Sequence, residues 1–174
     1  MTQFDNWASS PRAITWDETL SFESDLVSQA CAVWQAVAGN SVPPRADITA
    51  RLSKNFVGNM IIFERQSTGA FWVRLMGTRV TSVLGEMQGK TFAEALPADA
   101  DERWTGALNR TLANRKPLRV VTVVNLNGLQ FLEAEMVLAP LCDEHGRETM
   151  VFAVIVFRSG VAKSNAVNEL VHTL

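Results

Sequence analysis

Residues 71–92 read FWVRLMGTRVTSVLGEMQGKTF, and the change of period inside this stretch decides the fold. Phe71, Val73 and Leu75 alternate with Trp72 and Arg74, the period-2 pattern of a strand with one apolar face. Gly77 breaks the extended run, and Val80, Val83 and Leu84 follow at helical spacing. Gly85 and Gly89 stop that short helix, and Thr91 with Glu94 forms the pattern of a capping box that starts another. A strand turned by glycine into several short helices encloses space rather than filling it with one long element.

Outward from this stretch, the upstream run Asn55–Glu64 reads as a strand, with Ser67-Thr-Gly69 as the turn into the next one. Further upstream, Ser21 is placed to cap a helix carrying Phe22, Leu26, Ala30, Val33, Trp34 and Val37, which Gly39-Asn40 and Pro43-Pro44 end. Arg45-Ala-Asp-Ile-Thr49 reads as a second, shorter helical start. Residues 1–18 mix Phe4, Trp7, Ile14 and Trp16 with polar residues, too apolar for a solvated tail and too irregular for a helix.

Downstream, the spacing predicts a long helix over 99–115 with Trp104, Ala107, Leu108, Thr111 and Leu112 as its buried stripe; Pro117 ends it. Strands follow at 118–125, 129–140 and 149–157, the first two joined by the hairpin signal Asn127-Gly128. On 129–140, Leu132, Ala134, Met136 and Leu138 face inward, and Glu133 and Glu135 read as a solvated outer face. Met150–Phe157 is apolar on both faces, so both must be covered, one by the short helices and the other by the Trp34 helix. Residues 159–174 form a weakly helical tail.

The order of these segments resembles the PAS sensory domains, and specifically small stand-alone PAS-like proteins of largely unassigned role. Pro43-Pro44-Arg45-Ala46-Asp47, residues 71–92, and Val137-Leu-Ala-Pro-Leu141 with its acidic glycine-containing turn carry the resemblance over about residues 30–158. The resemblance implies an α+β fold: a five-stranded antiparallel sheet with short helices on one face and the N-terminal helix on the other. The division expected is an N-terminal segment (1–20), an amphipathic helix (21–40), a PAS-like core (41–158) and a tail (159–174).

With 174 residues, 47% hydrophobic and 20% charged, the chain is one globular domain large enough for its own core. A net charge of −2 and no basic cluster with interleaved aromatics argue against a nucleic-acid partner. No apolar run reaches membrane-spanning length and residues 1–7 lack a signal-peptide core, so no membrane association and a cytoplasmic location are expected. Cys31 and Cys142 are far apart, outside any CxxC spacing, and support neither a metal site nor a disulfide.

Catalytic and cofactor patterns are sparse. Gly85–Thr91 is one residue short of a phosphate loop and follows a helix rather than a strand. His145, in a turn, and His172, near the terminus, have no metal-ligand spacing, and a Ser-His-Asp or Cys-His site, which would have to recruit one of them, is not expected. Arg74 shares a strand face with Trp72; its plain reading is a cross-strand ion pair with Glu133 or Glu135, its sharper one a bound carboxylate or phosphate.

Haem-binding relatives of the resembled family carry a histidine on the long helix, and residues 99–115 have none. The Asn-Cys-Arg setting of flavin photoreceptors is also missing. No haem, flavin, metal or other cofactor is therefore expected, and no enzymatic activity.

The resemblance implies a sensory or regulatory module acting through a small apolar or amphipathic ligand, a protein signalling partner, or both. A homodimer through the N-terminal region and outer sheet face is expected from the surplus of apolar surface. The ligand-binding residues expected are Trp72, Arg74, Met76, Leu84, Met87, Phe92, Trp104, Leu108 and Met136, the last seven walling a cavity between the inner sheet face and residues 77–112. The alternative is an enzyme or carrier on a cone-shaped fold similar to ketosteroid isomerase. That chemistry commonly needs a buried tyrosine donor, and the chain has no tyrosine.

Overall fold

The computed structural model describes residues 15–96, 98–126 and 130–159. They form an antiparallel sheet of six strands: β1 (Thr15–Asp17), β2 (Met60–Arg65), β3 (Phe71–Met76), β4 (Leu118–Leu126), β5 (Gln130–Leu141) and β6 (Met150–Ser159). Their order across the sheet is β1-β4-β5-β6-β2-β3. Five strands stand where the periodicity predicts them, and the sixth, β1, lies in the N-terminal segment. Three residues are too few to show a period in sequence, and only pairing of Trp16 with Val120 on β4 reveals that strand. The Asn127-Gly128 turn lies outside the described residues, but the strands on either side pair antiparallel, with Leu126 opposite Gln130.

Each face of the sheet has its own core. Helices α3 (Thr78–Leu84), α4 (Phe92–Ala95) and α5 (Ala98–Asn114) cover one face. Phe63, Phe71, Val73, Val120, Ala134, Met136, Leu138 and Ile155 are buried there. Helix α1 (Asp25–Ala38) covers the other, burying Val27, Ala30, Cys31 and Trp34 on Ile62, Val137, Ala139, Phe152 and Val154. Both faces of β6 are thus covered, as its unbroken apolar run requires. The Trp34 indole N–H is satisfied by the Pro140 carbonyl at 2.7 Å, which lets so large a ring be buried without an orphaned donor.

Three boundaries differ from the sequence expectation. Helix α1 starts at a Ser24 cap rather than Ser21, its hydroxyl accepting from the Val27 N–H at 3.4 Å. Leu20 takes a positive φ of 57° and residues 20–22 close a tight turn, leaving Ser21 outside the helix. The strand expected from Asn55 begins only at Met60, because Val57–Asn59 coil into a 3-10 turn. Residues 45–53 split into a 3-10 turn at Arg45–Asp47 and α2 (Ala50–Ser53), which Thr49 caps.

A fourth difference matters more. Ile62 pairs with Leu75 but Phe63 pairs with Val73, so Arg74 is an extra residue in β3. This bulge reverses the alternation beyond it. Met76 therefore enters the helix-side core, and Leu75, expected there, packs against the α1-side core instead.

The corner between β3 and α3 is closed tightly. A Cβ on Gly77 would collide with the backbone carbonyls of Val57 and Gly58, and the Gly77 N–H bonds to the Met60 carbonyl at 2.8 Å. Its φ of −71° suits any residue, so the requirement for glycine is purely one of space. Gly77→Ala is expected to lower stability by about 1–3 kcal/mol, the usual cost of overpacking. Urea unfolding checks it, and an unchanged midpoint would refute the steric account.

Candidate functional site

The helix-side core collects seven of the nine residues expected to bind a ligand. Met76, Leu84, Met87, Phe92, Trp104, Leu108 and Met136 all belong to one buried cluster. The glycine-broken segment brings them together. Gly85 and Gly89, with φ of 83° and 79°, fold residues 85–91 back beside β3, where the Gly89 N–H and Lys90 carbonyl bond to Val73. The capping box then starts α4, with Thr91 Oγ1 accepting from the Glu94 N–H and the Glu94 carboxylate from the Thr91 N–H. Gln88, which the sequence did not single out, accepts the Met76 N–H at 3.0 Å. The segment is a strand-edge cover with two turns, not a phosphate cradle.

Trp72 and Arg74 do not join this cluster. Both lie by Glu64, whose Oε2 accepts from the Trp72 indole N–H at 3.2 Å and from the Arg74 guanidinium. Glu64 is thus the partner of Arg74; Glu133 and Glu135 are not. The guanidinium is about half exposed rather than buried. The expected pairing failed because Arg74 is on β3 at one edge of the sheet, with β2 and β6 between it and β5.

Glu135 corrects a second expectation. It is a fully buried carboxylate, 2% exposed. Its Oε1 accepts from the Glu23 N–H at 2.9 Å and Arg119 Nε at 2.7 Å; its Oε2 accepts from the Ser24 N–H at 2.7 Å and an Arg158 guanidinium nitrogen at 2.9 Å. Arg119 on β4 and Arg158 on β6 reach it as diagonal cross-strand neighbours. The outer face is not solvated here, because the N-terminal turn of α1 descends on it. Burial pushes this carboxyl up, but the two N–H groups and Arg119 outweigh it and hold the Glu135 pKa below its usual range. Four donors on one carboxylate clamp α1 across three strands.

A further carboxylate shapes the turn between β5 and β6. Asp143 accepts from the N–H groups of His145 and Arg147 at 2.9 Å each and from Arg147 Nε at 2.8 Å. Burial opposes its ionisation, but these bonds and the guanidinium charge prevail and hold it at about 2. Cys31 lies buried on α1 and its thiol is pushed up to about 11 by that burial. Cys142 is partly buried, with its thiol on the Val42 carbonyl. His172 lies outside the described residues.

A family model described as PAS domain matches residues 23–156. Among solved structures the chain is similar to a light-oxygen-voltage domain studied with a flavin analogue, at 15% identity and a TM-score of 0.47, covering 69% of this chain and 92% of that one. It is also similar to the light-state structure of the blue-light photoreceptor Aureochrome1 LOV, at 13% identity and a TM-score of 0.44, covering 71% and 98%. A sensory box histidine kinase/response regulator from Burkholderia thailandensis E264 is similar at 13% identity and a TM-score of 0.39, covering 69% and 92%. No curated protein matches the chain.

Proposed function

This chain belongs to the PAS domain family, a class of sensory or regulatory modules, and on that premise we propose that it acts without catalysis, through protein contacts that a small apolar or amphipathic ligand modulates. The observation that carries the reading is the Glu135 clamp. A single buried carboxylate ties the N-terminus of α1 to β4, β5 and β6. Strain in the sheet is thereby linked mechanically to the helix on its outer face. The ligand belongs in the helix-side core, where methionine side chains at 76, 87 and 136 repack at low cost. No described helix is long and apolar enough to cross a membrane, and a cytoplasmic site of action is part of this reading. So is the division into a cap helix at 21–40 and a core at 41–158.

The partner surface in this reading is the flank of α1. Leu26, Val33 and Val37 follow one another along the helix, with Phe22 in the turn before it, and all four are only half buried; Trp16 on β1 is exposed. The first partner proposed is a second copy of this chain. The homodimer would use the N-terminal region and the outer side of α1, since α1 itself covers the sheet face. Sedimentation velocity at micromolar concentration is expected to show a dimer that Leu26→Glu converts to monomer, with Trp16→Ser weakening it independently. A wild-type protein that sediments only as monomer would overturn the homodimer.

A further inference from the structure

Where β2, β3 and the β5–β6 turn meet on the α1 side of the sheet, two adjoining surface clefts share Glu64, Arg74 and Arg147. The smaller, about 230 Å³, also has Arg45, Asp143 and Met150 in its walls. The larger, about 710 Å³, opens beside Arg65 and Trp72. We propose that this double cleft is a binding site for a small oxyanion, a carboxylate or a phosphate group, that bridges Arg74 and Arg147.

The charge balance supports this. Four arginines line the clefts against three acidic side chains, on a chain whose net charge is −2. Two of those acids are already held by structural donors. Glu64 Oε2 is shared between Arg74 and the Trp72 indole. Asp143 accepts two backbone N–H groups besides the Arg147 guanidinium. They engage only part of each guanidinium, and the two side chains remain 47% and 66% exposed. Arg45 and Arg65 form no ion pair among the described residues.

Backbone geometry contributes as much as charge. Arg74 is the bulged residue of β3, and bulges re-aim side chains next to functional sites. Arg147 closes the acidic turn, its backbone carbonyl accepting the Thr149 N–H at 2.9 Å. A planar guanidinium held on one edge by a carboxylate is pre-organised to offer its other donors to a second oxyanion. Met150 gives the smaller cleft an apolar floor, 2% exposed, suited to a ligand whose carbon skeleton is short.

Calorimetric titration of the full chain with citrate and with inorganic phosphate tests the site, and whichever probe binds identifies the source of the oxyanion. Saturable binding in the millimolar range or tighter is expected, weakening as salt is raised to about 0.15 M. Arg147→Gln and Arg74→Gln are each expected to weaken it roughly tenfold or more, the loss of a charge-assisted bond. Arg74→Lys should lose most of the affinity although it keeps the charge. Amide shifts are expected to concentrate at residues 64–68 and 143–149. If Arg74→Gln misfolds, Arg147→Gln and Arg45→Gln, elsewhere in the cleft wall, decide the case. Absence of binding by both probes, or binding unchanged in these variants, overturns the proposal. The cleft lies apart from the helix-side core and the α1 flank, so its failure leaves the reading of those regions standing.

Discussion

Glu135→Ala is expected to destabilise the protein by about 3 kcal/mol, the low end of the range for breaking a buried ion pair. The low end applies because Arg119 keeps weaker contacts with Asp17 at 3.4 Å and Glu23 at 3.8 Å. The loss should be local in character. Among the described residues the Glu23 and Ser24 N–H groups have no other acceptor in place, so hydrogen exchange in the first turn of α1 is expected to accelerate before the rest of the sheet opens. The same residue sets an acid dependence. Its folded-state pKa is lowered, so its contribution is fully present above the unfolded carboxylate range, about 4–4.5, and is lost as pH falls through the folded value. Asp143, held at about 2, contributes in the same direction. Glu135→Ala should therefore flatten the decline in stability below that range without abolishing it. A variant with wild-type stability and an unchanged acid profile would show that the clamp carries nothing.

Trp104→Ala is expected to cost about 3–5 kcal/mol, the usual penalty for removing a large aromatic from a packed core. Trp104 is 3% exposed and shares its α5 stripe with Ala100, Ala107 and Leu108, all fully buried. The space left behind is lined by apolar side chains, so a small hydrophobic fluorophore should bind the variant and raise its melting temperature by mass action. Wild-type protein is expected to bind the same probe more weakly, through repacking of Met76, Met87 and Met136. Should neither protein take up the probe, the small-ligand part of the proposed function falls and the protein-contact part remains.

Much of the fold was legible because it rests on local physics. The glycines at 85 and 89, the Thr91–Glu94 box and the change from period 2 to period 3.6 after Met76 each act over a few residues. Each stands in the structure where its chemistry places it. The apolar run of β6 likewise announced that both of its faces must be covered. Most of the expected ligand site came out together because strand alternation and helical stripes are themselves local rules, whereas Met76 joined it through the bulge. The family model over residues 23–156 supports the same architecture.

What sequence by itself determined, then, is the order of the main elements, the two-faced sheet and most of the helix-side core, since these follow from period and from glycine, proline and cap positions. Tertiary structure alone decided the electrostatics. Alternation places Glu135 correctly on the outer face, but whether that face meets water or the N-terminus of α1 depends on a contact 111 residues distant. The bulge at Arg74 is equally non-local, because an extra residue exists only relative to the strand it faces, and it moved Met76 into the core and Arg74 to the edge of a cleft. β1 is a strand only because β4 offers it a partner. A pairing partner, a helix end or a counter-charge is supplied by the folded chain, and no window of neighbouring residues contains it.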